Sequence, residues 1–233
     1  IRIPHAVNDN VFTKIKDTKL ISEFKKDNQM GFDKNGNKRF VFFWNNRNAR
    51  RKQSGSLMFW FNDFLNRVGR DKATLVMHTE PRDPNGQDLI AIRDKLGLDE
   101  DQFKLSMNKL TIQQLSVLYN SVDCTINISD AEGFGLATLE SLATETPIIV
   151  NMTGGLQEQV TDGKEWFGIG LAPTSKCIIG SQQVPYIYED RTSKSQFFSA
   201  LDKMMALGKS GRAKMSLLGR EHVIKNYNFD NFN

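Results

Sequence analysis

Two glutamates, Glu132 and Glu140, stand eight positions apart, with Gly133 and Gly135 flanking Phe134 between them. The stretch follows a strand-like run, Cys124–Ile128, and opens a helix-like run, Leu136 to Ala143. A glycine-rich strand-to-helix turn presents backbone N–H groups at a helix N-terminus, which suits a phosphate. Carboxylates beside a phosphate site serve hydroxyls, because an ionised carboxylate only accepts hydrogen bonds. Together these residues imply a ligand carrying both a diphosphate and sugar hydroxyls: a nucleotide sugar. The competing chemistry is a general acid/base pair, as in glycoside hydrolysis. With Glu132 in a loop and Glu140 inside the following helix, the two need not flank one bond. Taken singly, Glu132 reads as a helix N-terminal charge and Glu140 as a solvated helix residue. The intervening glycines favour the binding role.

A second cluster is Asn45-Asn46-Arg47-Asn48-Ala49-Arg50-Arg51-Lys52, after an apolar strand and before a helix. Four cations there would neutralise a diphosphate: arginine grips two phosphate oxygens at once, and lysine acts as a point charge. A solvated basic loop is the plainer reading; its place at a strand's carboxyl end favours function. No His/Cys cluster argues for a metal site.

The elements that must position these loops alternate. The pattern predicts strands at Arg39–Trp44, Ala73–His78, Phe103–Met107, Asp123–Ile128 and Pro147–Val150. Between them it predicts helices at Ser54–Val68 (Leu57, Trp60, Phe61, Phe64 and Val68 on one face), Asp88–Leu96 with a Gly97 stop, Thr111–Asn120 (Ile112, Leu115, Leu118 and Tyr119 inward) and Leu136–Ala143. Gly154-Gly155 opens a turn and short helix through Val160. Asp27–Arg39 and Pro81–Gly86 read as loops. Residues 192–207 and 211–226 read as two further helices, and an extra strand is expected at Tyr186–Tyr188. Strands apolar on both faces, alternating with helices, predict an α/β fold: a Rossmann-like parallel sheet with helices on both faces. Ligands of such sheets bind beyond the carboxyl ends of the strands, here after Trp44, His78, Met107, Ile128 and Val150. His78, at such an end, and Trp44, Trp60 and Trp166 read as packing groups, and Cys124 as a core thiol. No role falls to His5 or His222.

The chain has 233 residues, 39% hydrophobic and 25% charged, with net charge +4, an ordinary globular composition. No apolar run approaches the ~20 residues of a membrane span, and Ile1-Arg2-Ile3-Pro4 does not read as a signal peptide. Two cysteines, Cys124 and Cys177, cannot build a disulfide framework, so a cytoplasmic setting is expected. Residues 1–52 carry thirteen Lys/Arg against five Asp/Glu. Lys14, Lys16, Lys19, Lys25 and Lys26 read as a solvated face; peripheral contact of the parent protein with an anionic membrane stays open. Few aromatics interleave with the cations, which argues against nucleic acid. A dinucleotide-dependent oxidoreductase is disfavoured, since no G-x-G-x-x-G follows the first strand.

The run Glu132-Gly133-Phe134-Gly135-Leu136-Ala137-Thr138-Leu139-Glu140 resembles the E-x7-E motif of retaining glycosyltransferases of the GT-B fold, especially the large family 4. Arg47 through Lys52 resembles that family's G-R…K-G segment, Gly154-Gly155 with Glu158 its G-G-x-x-E turn, Ile3-Pro4-His5-Ala6-Val7-Asn8 its interdomain linker, and Tyr227-Asn228-Phe229 its C-terminal aromatic segment. The chain departs from the pattern at Asn46 and Gln53, where glycine is usual, and at Ile128, where proline is usual. The resemblance implies the C-terminal, donor-binding half of a metal-independent enzyme that takes a sugar from a UDP-, GDP- or ADP-sugar, with no other cofactor. It implies catalytic roles for Arg47 and Lys52 on the diphosphate and for Glu132 on the transferred sugar. Gly133, Phe134, Gly135, Leu136 and Thr138 would contact the donor, Glu140 the ribose, and Asn108 and Lys109 would lie near the base. Residues 1–38 would be linker and lead-in, 39–191 the nucleotide-sugar core, and 192–233 helices packed on it. The acceptor would be bound by an N-terminal domain, without which the fragment is expected to be inactive. A non-catalytic nucleotide-sugar-binding module is the alternative.

Overall fold

Short apolar strands with no polar face must be covered on both sides, and the chain solves this with one sheet. In the computed structural model, which describes residues 5–229, the sheet strands are Phe40–Asn45 (β1), Ala73–His78 (β2), Phe103–Ser106 (β3), Cys124–Asn127 (β4), Ile148–Asn151 (β5) and Gly168–Leu171 (β6). They lie in the order β3-β2-β1-β4-β5-β6, and every neighbouring pair is parallel. Crossovers from β1 run one way and those from β4 the other, so the two strands bound the crevice where such sheets hold ligands. Of the linker-like segment, Ile3 and Pro4 lie outside the described residues, as do residues 230–233 of the segment 192–233 expected to pack as helices.

Alternation along β1 feeds two cores. Phe42 and Trp44 face Leu57, Met58, Phe61, Phe64 and Leu65 of Ser54–Val68 (α2), together with Phe197, Leu201 and Met204 of Lys194–Ala206 (α7). Val41 and Phe43 face Leu118 and Tyr119 of Ile112–Asn120 (α4), Leu139 and Leu142 of Leu136–Ala143 (α5), and Val223 of Gly208–Asn226 (α8). Each fully buried large side chain contributes about 1.5–3 kcal/mol. Leu89–Leu96 (α3) starts on an Asp88 cap and stops at Gly97, whose φ of +62° favours glycine. On α4, Thr111 and Gln114 form a capping box. Thr18–Asp27 (α1) and Leu156–Val160 (α6) complete the helices. None of the helices among the described residues is long and apolar enough to cross a membrane.

Up to α6 the sequence-based elements are found within a residue or so of their expected ends; α7 begins at Lys194 rather than 192 and α8 at Gly208 rather than 211, and four further differences stand out. The sheet gains β6, whose Gly-Ile-Gly-Leu run has weak strand propensity. Its Gly168 is needed because a Cβ there would lie 2.3 Å from the Ile148 carbonyl oxygen. The strand expected at Tyr186–Tyr188 is instead Tyr188–Arg191 (β8), paired antiparallel with Ser175–Ile178 (β7). Lysine-rich α1 was not expected. Ile112 is half exposed, not inward, because it sits in the first turn of α4 beyond the reach of the sheet. Trp44 is fully buried, whereas Trp166 is about half exposed.

The chain's entry and exit lie together, with Val7 N donating to Tyr227 O at 2.8 Å. Helix α8 closes over α5, where Gly219 sits against Leu142.

Candidate functional site

The crevice is framed by the loops that leave β1, β4 and β5. Asp130 N donates to Arg51 O at 2.8 Å, tying the β4 loop to the β1 loop. Asn151, the last residue of β5, donates its side-chain amide to Ser129 O at 2.9 Å. The Gly154-Gly155 turn presses against the Glu132–Phe134 segment from the other side. A Cβ on Gly154 would lie 1.8 Å from Glu132 O, and one on Gly155 would lie 2.8 Å from Phe134 Cα. Only glycines let these backbones pass, and Gly154 also has φ +50°. Gly135, with φ +90°, forms the left-handed entry to α5, and a Cβ there would strike Leu156. Gly133 is exposed, with open space around its Cα. The Thr138 hydroxyl donates to Gly135 O at 2.7 Å, and Gln159 Nε2 donates to Phe134 O at 2.6 Å, so the first turn of α5 is pinned. The Phe134 ring packs between His5 and Tyr227, at centroid separations of 4.8 and 5.8 Å. Leu136 is exposed at the helix start.

The cationic loop after β1 turns through a single 3₁₀ turn, Arg50–Lys52, into Gln53, whose φ is +57°. That turn drives Lys52 inward: the residue is buried, and Nζ pairs with Glu132 Oε2. Burial pulls the Lys52 ammonium below its usual range, and the Glu132 hydrogen bond and charge partly offset this. Arg51 Nη1 donates to Ala131 O at 2.7 Å and lies 3.8 Å from Glu132 Oε1. Arg47 is exposed and makes a two-point ion pair with Asp83 of the loop after β2, at 2.7 and 3.2 Å. That pairing holds the Asp83 carboxyl well below the usual carboxylate range. Arg50 pairs with the buried Glu189 of β8 at 2.6 Å. The structure thus brings Lys52 and Glu132 into contact, while among the described residues no contact joins Arg47 to either. Asn108 and Lys109 are exposed in the loop after β3. Asn108 lines a cleft of about 250 Å³ with Ser106, Met107 and Leu110.

Glu140 lies deeper. Its Oε2 accepts from the Tyr119 hydroxyl at 2.9 Å, and that hydroxyl accepts from Asn45 Nδ2 at 2.9 Å. Burial pushes the Glu140 carboxyl up from 4.5 to about 7, and the Tyr119 bond pulls the other way. Asp130, with Gln53 donating to its carboxylate, is also raised by burial. His78 is a packed histidine: its Nδ1 lies 3.0 Å from Ser106 O, and burial lowers its pKa.

Sequence reasoning missed Tyr119 and Glu189 as parts of this neighbourhood, and it gave Asn45, Gln53 and Asp130 no role of their own. A polar residue closing an apolar strand, as Asn45 and Asn127 both do, was the available signal. Tyr119 gave none, since its spacing is that of a core residue.

Residues 84–176 match the family model described as Glycosyl transferases group 1. The matched span includes Glu132 through Glu140 and Gly154-Gly155 and leaves out Arg47 and Lys52. D-inositol 3-phosphate glycosyltransferase of Corynebacterium urealyticum is 40% identical over 52 residues, which is 22% of this chain and 12% of that protein. A glycosyltransferase structure from Rickettsia africae superposes with a TM-score of 0.73 at 16% identity, over 99% of this chain and 53% of that one. The C-terminal domain of a glycosyl transferase group 1 family protein from Francisella tularensis gives 0.68 at 20%, over 96% and 99%. HepE of Anabaena, in complex with UDP and glucose, gives 0.72 at 14%, over 98% and 53%. The fold is therefore the Rossmann-like, C-terminal half of the GT-B architecture, and the chain spans about half the length of the Rickettsia and Anabaena chains.

Proposed function

We propose that this domain binds the donor of a retaining, family 4-like glycosyltransferase, one that takes a sugar from a UDP-, GDP- or ADP-sugar. The observation that carries the reading is the contact of Lys52 with Glu132, beside the glycine-rich entry to α5 and with Glu140 in the same helix. In a donor complex the diphosphate would replace Glu132 as the partner of Lys52. Glu132 would then be freed to accept hydroxyls of the transferred sugar. Backbone amides from Gly133 to Leu136 would meet the phosphate at the helix N-terminus, with Thr138 holding that turn. Arg47 would exchange Asp83 for phosphate oxygens, Glu140 would accept from the ribose, and Asn108 and Lys109 would border the base. Departure of the nucleoside diphosphate builds negative charge on the leaving oxygen, and cations fixed before the reaction lower that barrier. Residues 39–191 would form the donor core, with α7 and α8 packed on it. An N-terminal domain of the parent protein would bind the acceptor, so the domain alone would bind donor and transfer little.

One observation favours a second reading, a nucleotide-sugar-binding module without transfer: each of the four cations after β1 already has a carboxylate or carbonyl partner. A thermal-shift screen of UDP-, GDP- and ADP-glucose tests what both readings share. A sugar nucleotide at one hundred times its Kd adds about 2.7 kcal/mol of stability. Failure of every donor at millimolar concentration to raise the melting temperature would refute both. Transfer with retained anomeric configuration by the parent protein, read by NMR, would decide between them.

A further inference from the structure

We infer that Tyr119 is a positioning residue for ribose recognition, holding the Glu140 carboxylate through a hydrogen bond whose direction Asn45 sets. The inference rests on the donor-binding reading and deepens it. Three elements converge here: Asn45 ends β1, Tyr119 lies in the last turn of α4, and Glu140 lies on α5. They meet at the junction of β1 and β4, where the crossover direction reverses.

The geometry fixes the order of donors. A phenol has one proton and can also accept. The Asn45 amide nitrogen can only donate, and it takes the acceptor side of the Tyr119 oxygen at 2.9 Å. The phenolic proton is thereby directed to Glu140 Oε2, also at 2.9 Å. The ring cannot turn away: it is fully buried, edge-on to Phe43 at 5.2 Å and to Phe12 at 6.1 Å. Glu140 Oε1 makes no hydrogen bond among the described residues, and the residue is only partly buried. One carboxylate oxygen is therefore anchored from below, and the other is left as an acceptor.

A buried tyrosine needs some partner for its hydroxyl, so the chain could be mere core satisfaction. Against that stands the choice of acceptor. A glutamine at position 140 would accept the same bond without a charge to desolvate. The native carboxylate instead titrates near neutrality because of burial. Retaining a charged acceptor where a neutral one would satisfy the tyrosine fits a group kept for a ligand.

The test is Tyr119→Phe, which removes only the hydroxyl. UDP, GDP and ADP are titrated calorimetrically against the wild-type domain, and the tightest is compared with its 2′-deoxy counterpart. The wild type is expected to favour the ribonucleotide by at least about tenfold, the scale of one hydrogen bond to a charged group. In Tyr119→Phe and Glu140→Gln that preference should fall below about threefold, with deoxynucleotide affinity nearly unchanged. A purely structural role for Tyr119 would weaken both nucleotides alike or neither. Full ribose preference in Tyr119→Phe alongside its loss in Glu140→Gln overturns the inference and leaves the donor reading standing. Absence of binding by the wild type overturns both. If Tyr119→Phe does not fold, Asn45→Ala carries the same readout, and an intact ribose preference there overturns the inference.

Discussion

Replacing Glu140 by glutamine should make the ligand-free domain more stable while weakening its hold on nucleotide. Burial raises this carboxyl from 4.5 to about 7. Below pH 4.5 the side chain is neutral in both folded and unfolded chains and costs nothing. Between the two values the folded state holds a proton that the unfolded state has released, so stability falls as pH rises. The loss is complete above the folded value. At 1.36 kcal/mol per unit the shift corresponds to about 3 kcal/mol. Glu140 is partly exposed, so solvent screening lowers the expected gain to about 1–3 kcal/mol. Glutamine keeps an acceptor for the Tyr119 hydroxyl and does not titrate. The variant should match the wild type near pH 4.5 and exceed it by that amount at pH 8, read by urea denaturation at both values. For a domain of this size the gain is roughly 2–12 °C in melting temperature. A variant less stable than the wild type at pH 8, or a difference independent of pH, would refute the reasoning. It would mean that the carboxylate is paid for by an interaction other than the Tyr119 bond.

Three further outcomes follow from the same geometry. Lys52→Ala leaves Glu132 without its closest cation; it should destabilise the domain by about 2–4 kcal/mol in denaturant and slow the parent enzyme by roughly one to three orders of magnitude, and unchanged turnover would remove Lys52 from the mechanism. Gly154→Ala forces a Cβ onto the Glu132 carbonyl at a positive φ, so it should cost about 1–3 kcal/mol and weaken nucleotide binding by calorimetry through displacement of the Glu132–Phe134 segment. Arg47→Ala breaks the ion pair with Asp83, whose arginine side is exposed, so the melting temperature should fall by at most about 4 °C while donor affinity falls at least about tenfold; equal affinity would show that Arg47 never leaves Asp83.

What could be read from the chain and what could not divide along physical lines. Helices α2 and α5 and strand β2 announce themselves because their apolar periodicity is unbroken and their ends carry turn residues. Strand β6 does not, since its glycines serve close packing on β5, a contact between segments far apart in sequence. Strand β7 and the register of β8 are hidden because their outward residues carry no alternation. At the site, the spacing of Glu132 and Glu140 and the glycines between them were legible, as was the cationic run. The partners of those cations were not. Asp83 lies on the loop after β2 and Glu189 on strand β8, and nothing near Arg47 or Arg50 in sequence marks them. Tyr119 was legible only as a core residue, because a buried phenol looks like any inward aromatic until the fold brings Asn45 and Glu140 to its hydroxyl.

A crystal structure of the domain soaked with UDP-glucose, GDP-glucose or ADP-glucose would show where the nucleoside diphosphate sits. The diphosphate should lie between the 3₁₀ turn and the amides of Gly133 to Leu136, with Lys52 Nζ moved from Glu132 to a phosphate oxygen and Glu140 on the ribose. A nucleotide bound elsewhere with the Lys52–Glu132 pair intact would contradict that placement.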